Sequence, residues 1–264
     1  MSDELVTSTT DLSAFTIDQV IDRMPEVYRA KLRERINKLL ASDKKIRIFC
    51  DGVFDMFHSG HARLLEQVKK ILPNVVLVAG VSKDEDVLAE KGMCVMNEIE
   101  RAEAVRSCKW VDEVYPRCPW VFTVEFLKSV DCEFTAHDCL PYVTSTCGDS
   151  YGEVKEAGYF IPTLRSAGVS SSDMITRILK NRDDFFVNSL NKHMTPSDLN
   201  MNWYECLRFG ERPPSDSALN KTVNAILDNT IVKKIDLNRM RVILVALICK
   251  KKLIRVPEVI FKQK

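Results

Sequence analysis

The chain reads as an α/β protein, a mostly parallel sheet with helices on both faces, with a helical lead-in before it and a basic extension after it. Three observations predict this. Short apolar runs the length of buried strands occur at Ile46 to Cys50 and at Val75 to Val81, the second (VVLVAGV) nearly unbroken, as a strand covered on both faces requires. Between and after them, apolar residues recur at helical spacing, most clearly Leu64, Leu65, Val68, Ile71 and Leu72, which Pro73 halts. Strand and helix signals then alternate, which is the pattern of βαβ units.

Taken in order, Ile17, Val20, Ile21 and Met24, then Leu32, Ile36, Leu39 and Leu40 after Pro25, predict one or two amphipathic helices in an N-terminal extension over 1–44. The main domain is expected over 45–191. Within it a helix is expected over Glu98 to Ser107, a strand from Glu113 to Tyr115, a helix over Thr123 to Val130, and a strand over Glu133 to Ala136 leading into His137-Asp138. A short helix at Val154 to Ala157 ends before Gly158, and a firm one covers Ser171 to Lys180. Residues 192–264 are expected to be a linker, marked by Glu211-Arg-Pro-Pro214, and a basic, partly amphipathic segment.

Composition excludes little but sorts the charge. The 264 residues are 45% apolar and 28% charged, ordinary for a soluble globular protein. The net charge of +1 hides an asymmetry: from Lys221 onward eleven Lys/Arg face three Asp/Glu, so the first 220 residues are acidic. The average charge gives no sign of nucleic-acid binding, whereas the basic apolar tail suggests an anionic membrane surface, a docking element or a disordered tail being the competing readings. Nine cysteines without a C-x-x-C pair read as reduced thiols. The polar first residues carry no signal-peptide pattern, and the longest apolar run, Val242 to Cys249, is far short of the roughly 20 residues of a membrane span. A cytoplasmic protein is expected, with the nucleus or the face of the endoplasmic reticulum as other locations.

The chemistry concentrates between the first strand and its helix, in IRIFCDGVFDMFHSGHARLLEQVKKIL. Such a turn lies at the carboxyl edge of a parallel sheet, where open α/β folds bind ligands. His58 and His61, three apart at a helix start, can turn both imidazoles to one side, with Ser59 as a candidate cap and Gly52 and Gly60 letting a ligand approach the backbone. The free N–H groups and the helix dipole add positive character, and together these suit a polyphosphate. Half of a zinc site and incidental surface histidines are the alternatives, although no second ligand pair at metal spacing accompanies the histidines, so no protein metal site is assigned. A second anion site is expected at Arg165-Ser166-Ala167-Gly168-Val169-Ser170, where an arginine, a glycine and a run of hydroxyls precede a helix, and where Ser170 with Asp173 also fits a capping box.

The run Asp51-Gly52-Val53-Phe54-Asp55-x-x-His58-x-Gly60-His61 resembles the signature of the HxGH nucleotidyltransferases, specifically their cytidylyltransferase branch, and the likeness to the choline-phosphate members extends from about Ile46 to Asn191. The resemblance implies a Rossmann-like domain that transfers the cytidylyl group of CTP to phosphocholine, giving CDP-choline and pyrophosphate. It implies that His58, His61 and Lys91 are catalytic, Lys91 through a K-G-x-x-V-M-N-E-x-x-R pattern that also includes Arg101, a substrate contact or a helix anchor. It implies CTP binding by Asp51, Gly52, Val53, Phe54, Asp55, Gly60, His137, Asp138, Tyr142 and the 165–170 loop. Phosphocholine would be held by Lys91, Trp120, Asp138, Tyr142 and Tyr151, aromatic faces and a carboxylate being what a trimethylammonium group needs. Mg²⁺ accompanying CTP and a homodimer are implied as well. Lys109, Cys139, Gly148 and Ala167 depart from the family's arginine and acidic residues. Two other readings remain: a phosphoethanolamine or other phospho-alcohol as acceptor, and a weakly active regulatory paralogue.

Overall fold

The structure, a computed structural model, describes residues 16–42, 44–138, 140–143, 148–209 and 211. Five parallel strands, β1 (Ile46–Gly52), β2 (Val75–Ser82), β3 (Glu113–Cys118), β4 (Phe134–Asp138) and β5 (Phe160–Thr163), form one sheet in the order β3-β2-β1-β4-β5. The helices are α1 (Ile17–Ile21), α2 (Glu26–Leu40), α3 (Ser59–Lys70), α4 (Asp84–Glu90), α5 (Glu98–Arg106), α6 (Val124–Ser129), α7 (Gly152–Glu156), α8 (Ser171–Lys180), α9 (Arg182–Asn191) and α10 (Trp203–Phe209). From β1 the chain moves one way to β2 and β3, then returns across β1 to β4 and β5. Right-handed crossovers therefore lay α3 and α5 over one face and α6 and α7 over the other, the Rossmann-like arrangement. The reversal falls between β1 and β4, so their carboxyl ends, Asp51-Gly52 and His137-Asp138, flank the crevice that such a sheet offers a ligand.

The strands are as apolar as their position demands. Ile48, Phe49, Leu77, Val81 and Phe134 are wholly buried, and the Phe49 ring packs edge-on against Phe126 of α6 at 5.3 Å. The N-terminal helices belong to this core: Val20, Ile21, Met24, Leu32 and Ile36 are buried, each such side chain being worth about 1.5–3 kcal/mol of transfer free energy. Lys31 Nζ of α2 donates to the Glu156 carbonyl at 2.9 Å. Gly158 closes that contact. At φ +75 it adopts a left-handed turn, and a Cβ there would lie 2.8 Å from the Lys31 Cβ.

Several elements carry no sequence signal. β5 is four residues with a proline, and α4, with three acidic residues in its first turn, buries only Val87, so neither shows a period. α9 and α10 are equally silent. β3 runs on to Cys118 through Pro116, which an edge strand tolerates because half its backbone faces no partner.

The chain divides into two compact units, Met1–Thr176 and Arg177–Lys264. In the second, α9 and α10 are joined by ion pairs Arg182–Glu205 and Arg208–Asp183, with Phe186 and Phe209 ring centroids 5.6 Å apart. The basic tail, the linker at 212–214 and Cys139 lie outside the described residues. None of the described helices is long and apolar enough to cross a membrane.

Candidate active site

The turn after β1 is strained and tied down. Phe54 (φ 56) and Met56 (φ 48) are both left-handed, at roughly 1–2 kcal/mol each for residues with a Cβ. Between them Asp55 accepts from the backbone N–H groups of Val95 at 3.0 Å and Met96 at 2.9 Å, while its carbonyl accepts from Ser171 Oγ at 2.7 Å. Both carboxylate oxygens of Asp55 are thus engaged by the chain itself. The residue lines the cleft, and what it visibly does is bind the histidine turn to the loop after Lys91 and to the start of α8.

His58, not Ser59, is the N-cap of α3: its Nδ1 accepts from Gly60 N at 3.1 Å, and its own N–H donates to His61 Nδ1 at 3.4 Å. Backbone amides can only donate, so both Nδ1 atoms are unprotonated and both Nε2 atoms carry hydrogen. The two rings stack at 3.8 Å. Burial pushes the His58 pKa down, and burial with the His58 neighbour pushes His61 down to about 3. Both imidazoles are therefore neutral donors near pH 7. Gly60 makes room for this geometry: a Cβ would lie 2.9 Å from His58 Cε1 and 3.0 Å from Val169 Cγ1.

A cleft of about 500 Å³ opens over the turn. Asp51 to Asp55, His58, Gly60, His61, Lys91, His137, Asp138, Tyr142, Arg165, Ser166, Val169 and Ser170 line it. Of the expected loop residues, Ala167 and Gly168 do not; Gly168 turns the loop at φ +74 with its Cα side open. Ser171 and Ser172, part of the expected run of hydroxyls, also line it; sequence reasoning passes over Met93, Cys94 and Ile175, which line it too, and Gln67, which fixes the loop from below. Gln67 exchanges two 2.9 Å hydrogen bonds with the Leu164 backbone, setting the position from which Arg165 emerges. Ser170 Oγ accepts from Asp173 N at 3.0 Å, the expected cap of α8. Arg165 Nε lies 3.5 Å from Asp138 Oδ2.

The cleft continues inward to a small aromatic chamber lined by Asp51, Lys91, Trp120, His137, Tyr142, Ser150 and Tyr151. Trp120 and Tyr151, expected at the acceptor site, belong to this chamber and not to the outer cleft. Its carboxylate is Asp51, which lines the outer cleft too, whereas Asp138, expected at both the CTP and the acceptor sites, lines the outer cleft alone. Tyr151 stacks on His137 at 4.9 Å and donates its hydroxyl to Asp51 Oδ2 at 2.7 Å; Tyr142 stands edge-on to His137 at 4.7 Å. Burial raises the Tyr142 phenol to about 12 and Tyr151 well above its ordinary value, so both remain neutral rings. Asp149, which carries no signal in the sequence, spaces them: its Oδ1 accepts from Tyr142 N at 3.1 Å and Tyr151 N at 3.2 Å, and its Oδ2 from buried Lys155 at 2.5 Å.

Lys91 joins the two compartments. Burial lowers its pKa, against which Asp51 and Asp138 act. Arg101, by contrast, is wholly buried and donates to the Val53 and Ser82 carbonyls and to Asp84 at 2.6 Å, which makes it a helix anchor. Lys109 sits over Trp110 at 4.5 Å and lines neither compartment. Among the described residues no group of three or more His, Cys, Asp or Glu is placed to hold a metal ion.

Residues 49–177 match the family described as Cytidylyltransferase-like. A probable choline-phosphate cytidylyltransferase of Schizosaccharomyces pombe is 48% identical over 162 residues, covering 61% of this chain and 45% of that protein. Choline-phosphate cytidylyltransferase A of Homo sapiens is 45% identical over 161 residues, covering 61% and 44%. An ethanolamine-phosphate cytidylyltransferase of Dictyostelium discoideum is more distant, 39% identical over 153 residues, covering 58% and 42%. The chain thus spans about half the length of the curated relatives it matches. Fold, signature turn and relatives agree with the match of residues 49–177 to the Cytidylyltransferase-like family.

Proposed function

We propose that the protein transfers the cytidylyl group of CTP to phosphocholine, releasing pyrophosphate and CDP-choline. One observation carries the reading: two neutral imidazoles that keep Nε2–H as the donor, an ammonium and a guanidinium surround one cleft, and the aromatic chamber with its buried carboxylate shares lining residues with it. The relatives named for phosphocholine are also nearer in sequence than the one named for ethanolamine phosphate.

In this reaction a phosphate oxygen of phosphocholine attacks the α-phosphorus of CTP. The new P–O bond forms as the bond to the β-phosphate bridging oxygen breaks, and the electron pair leaves with pyrophosphate. The attacking oxygen is already anionic, so no strong base is needed, and catalysis lies in positioning and in neutralising charge on the phosphoryl oxygens. His58 and His61 donate from Nε2 to those oxygens, without changing protonation state. Lys91 bridges nucleophile and nucleotide, and Arg165 with the hydroxyls of the following loop holds the leaving group. A Mg²⁺ accompanying CTP would offset part of the triphosphate's charge, and Asp138, beside Arg165 in the cleft, would be the carboxylate to help hold it. The basic residues after Lys221 support contact with an anionic membrane surface from the cytoplasmic side, and the family resemblance supports a homodimer.

Pyrophosphate release with CTP, Mg²⁺ and each of phosphocholine, phosphoethanolamine and glycerol 3-phosphate tests the proposal. Phosphocholine should give the highest kcat/KM. Turnover with phosphoethanolamine alone would overturn the acceptor, and CTP binding without turnover on any of the three would favour a regulatory role.

A further inference from the structure

The chamber that would take the acceptor's cationic head is already facing a cation of the chain itself. Lys91 Nζ lies 5.3 Å from the Tyr142 ring centroid and 5.8 Å from that of Trp120, both within cation–π reach. Asp51 faces the same space, and its Oδ1 is buried without a hydrogen-bond partner while Oδ2 is held by Tyr151. An unsatisfied buried carboxylate oxygen attracts positive charge, and Lys91 is among the groups whose charge acts on Asp51. The same side chain lines the outer cleft with His58, His61 and Arg165, where a triphosphate would draw its ammonium outward.

We propose that Lys91 is a placeholder in the acceptor chamber, and that nucleotide binding empties the chamber by attracting Lys91 to the phosphates. The inference rests on the cytidylyltransferase reading and deepens it by assigning an order: nucleotide first, acceptor second. Before CTP binds, an incoming quaternary ammonium meets a like charge and two rings already in use. After CTP binds, the Lys91 charge has moved to where it also attracts the acceptor's phosphate. Free-energy coupling is reciprocal, so each substrate raises the affinity of the other. The loop geometry permits the movement: Lys91 is the C-cap of α4, and Gly92 beside it, at φ +103, has open space within 4 Å of where a Cβ would lie.

Choline, which carries the cationic head without a phosphate, isolates the effect. Its binding is measured by calorimetry on the full chain, alone and with saturating CTP and Mg²⁺, for the native protein and for Lys91→Ala. CTP should tighten choline binding to the native protein about fivefold, the order of one cation–π contact set free. Lys91→Ala should bind choline about fivefold more tightly without nucleotide and show no further gain with CTP. Choline binding indifferent to CTP in the native protein, or unchanged or weaker in Lys91→Ala, would overturn the placeholder. Pyrophosphate release by the native protein, run alongside, separates the two failures: turnover with uncoupled choline binding overturns the ordering alone, and no CTP binding overturns both.

Discussion

The two compartments of the site are built in opposite ways. The phosphate side is centred on one contiguous turn, to which Lys91 and the Arg165 loop add charge and hydroxyls: within Asp51 to His61 the backbone itself sets the Nδ1 atoms of both histidines, and Gly60 supplies the space. The aromatic side is assembled from separate loops, Trp120 after β3, Tyr142 after β4 and Tyr151 at the start of α7, and is held by side chains, chiefly Asp149 with Lys155 and Asp51 with Tyr151. A site written in eleven consecutive residues is rigid and readable. A site gathered from three loops is adjustable, and it is where acceptor choice can vary while the phosphoryl chemistry stays the same.

The comparison breaks most plainly at His61. Replacing it by Ala removes an Nε2 donor aimed at the phosphoryl oxygens and should lower kcat for pyrophosphate release at least about a hundredfold, as loss of one preorganised donor does elsewhere. Circular dichroism should be unchanged. A kcat within about threefold of the native value would refute the histidine's role. Gly60→Ala tests the same turn through its backbone. The added Cβ must displace the His58 ring or Val169, so kcat should fall by about tenfold with the acceptor's KM little altered.

On the aromatic side the losses should be smaller and should appear in a different constant. Tyr142→Ala removes one face of the chamber and should raise KM for phosphocholine about tenfold, leaving KM for CTP within about twofold. Tyr142→Phe keeps the face and should stay near native, since the neutral phenol contributes its ring. Equal damage from both substitutions would mean that the hydroxyl, not the ring, matters.

The difference in construction also explains what can be read from the chain. The strands β1 and β2 and the helix α3 announce themselves because burial on both faces, or on one stripe, imposes an apolar pattern. The histidines are legible because a local turn places them. Ser59 reads as the cap because a histidine ring rarely takes that role, and only the 3.1 Å bond to Gly60 reveals His58 in it. Asp55 reads as a ligand contact, since nothing local shows that its partners are amides some forty residues on, at Val95 and Met96. Asp51 reaches the chamber as well as the outer cleft, and Asp138 only the outer cleft, for the same reason: which strand end faces the chamber depends on the order of the sheet, which no single segment records. Gln67 and Asp149 are invisible because each satisfies backbone groups distant or unremarkable in sequence.

The smallest expected effect concerns protons. His61 is held neutral in the folded protein, with a pKa pushed down to about 3, while in the unfolded chain it titrates at about 6.5. Below pH 6.5 the unfolded state therefore binds a proton that the folded state refuses, so the stability this residue contributes is complete above that pH and is lost as pH falls toward 3. His58, lowered by burial as well, acts in the same direction. Between about pH 6.5 and 5, before most carboxylates titrate, His61→Gln should lessen the acid-induced loss of unfolding free energy by about 1.5 kcal/mol relative to the native protein, read from urea denaturation at the two pH values. Identical slopes would mean that His61 accepts a proton in the folded state. The stacked ring at 3.8 Å would then have to lie beside an imidazolium, and the pair would no longer be the two neutral donors on which the phosphate side of the comparison depends.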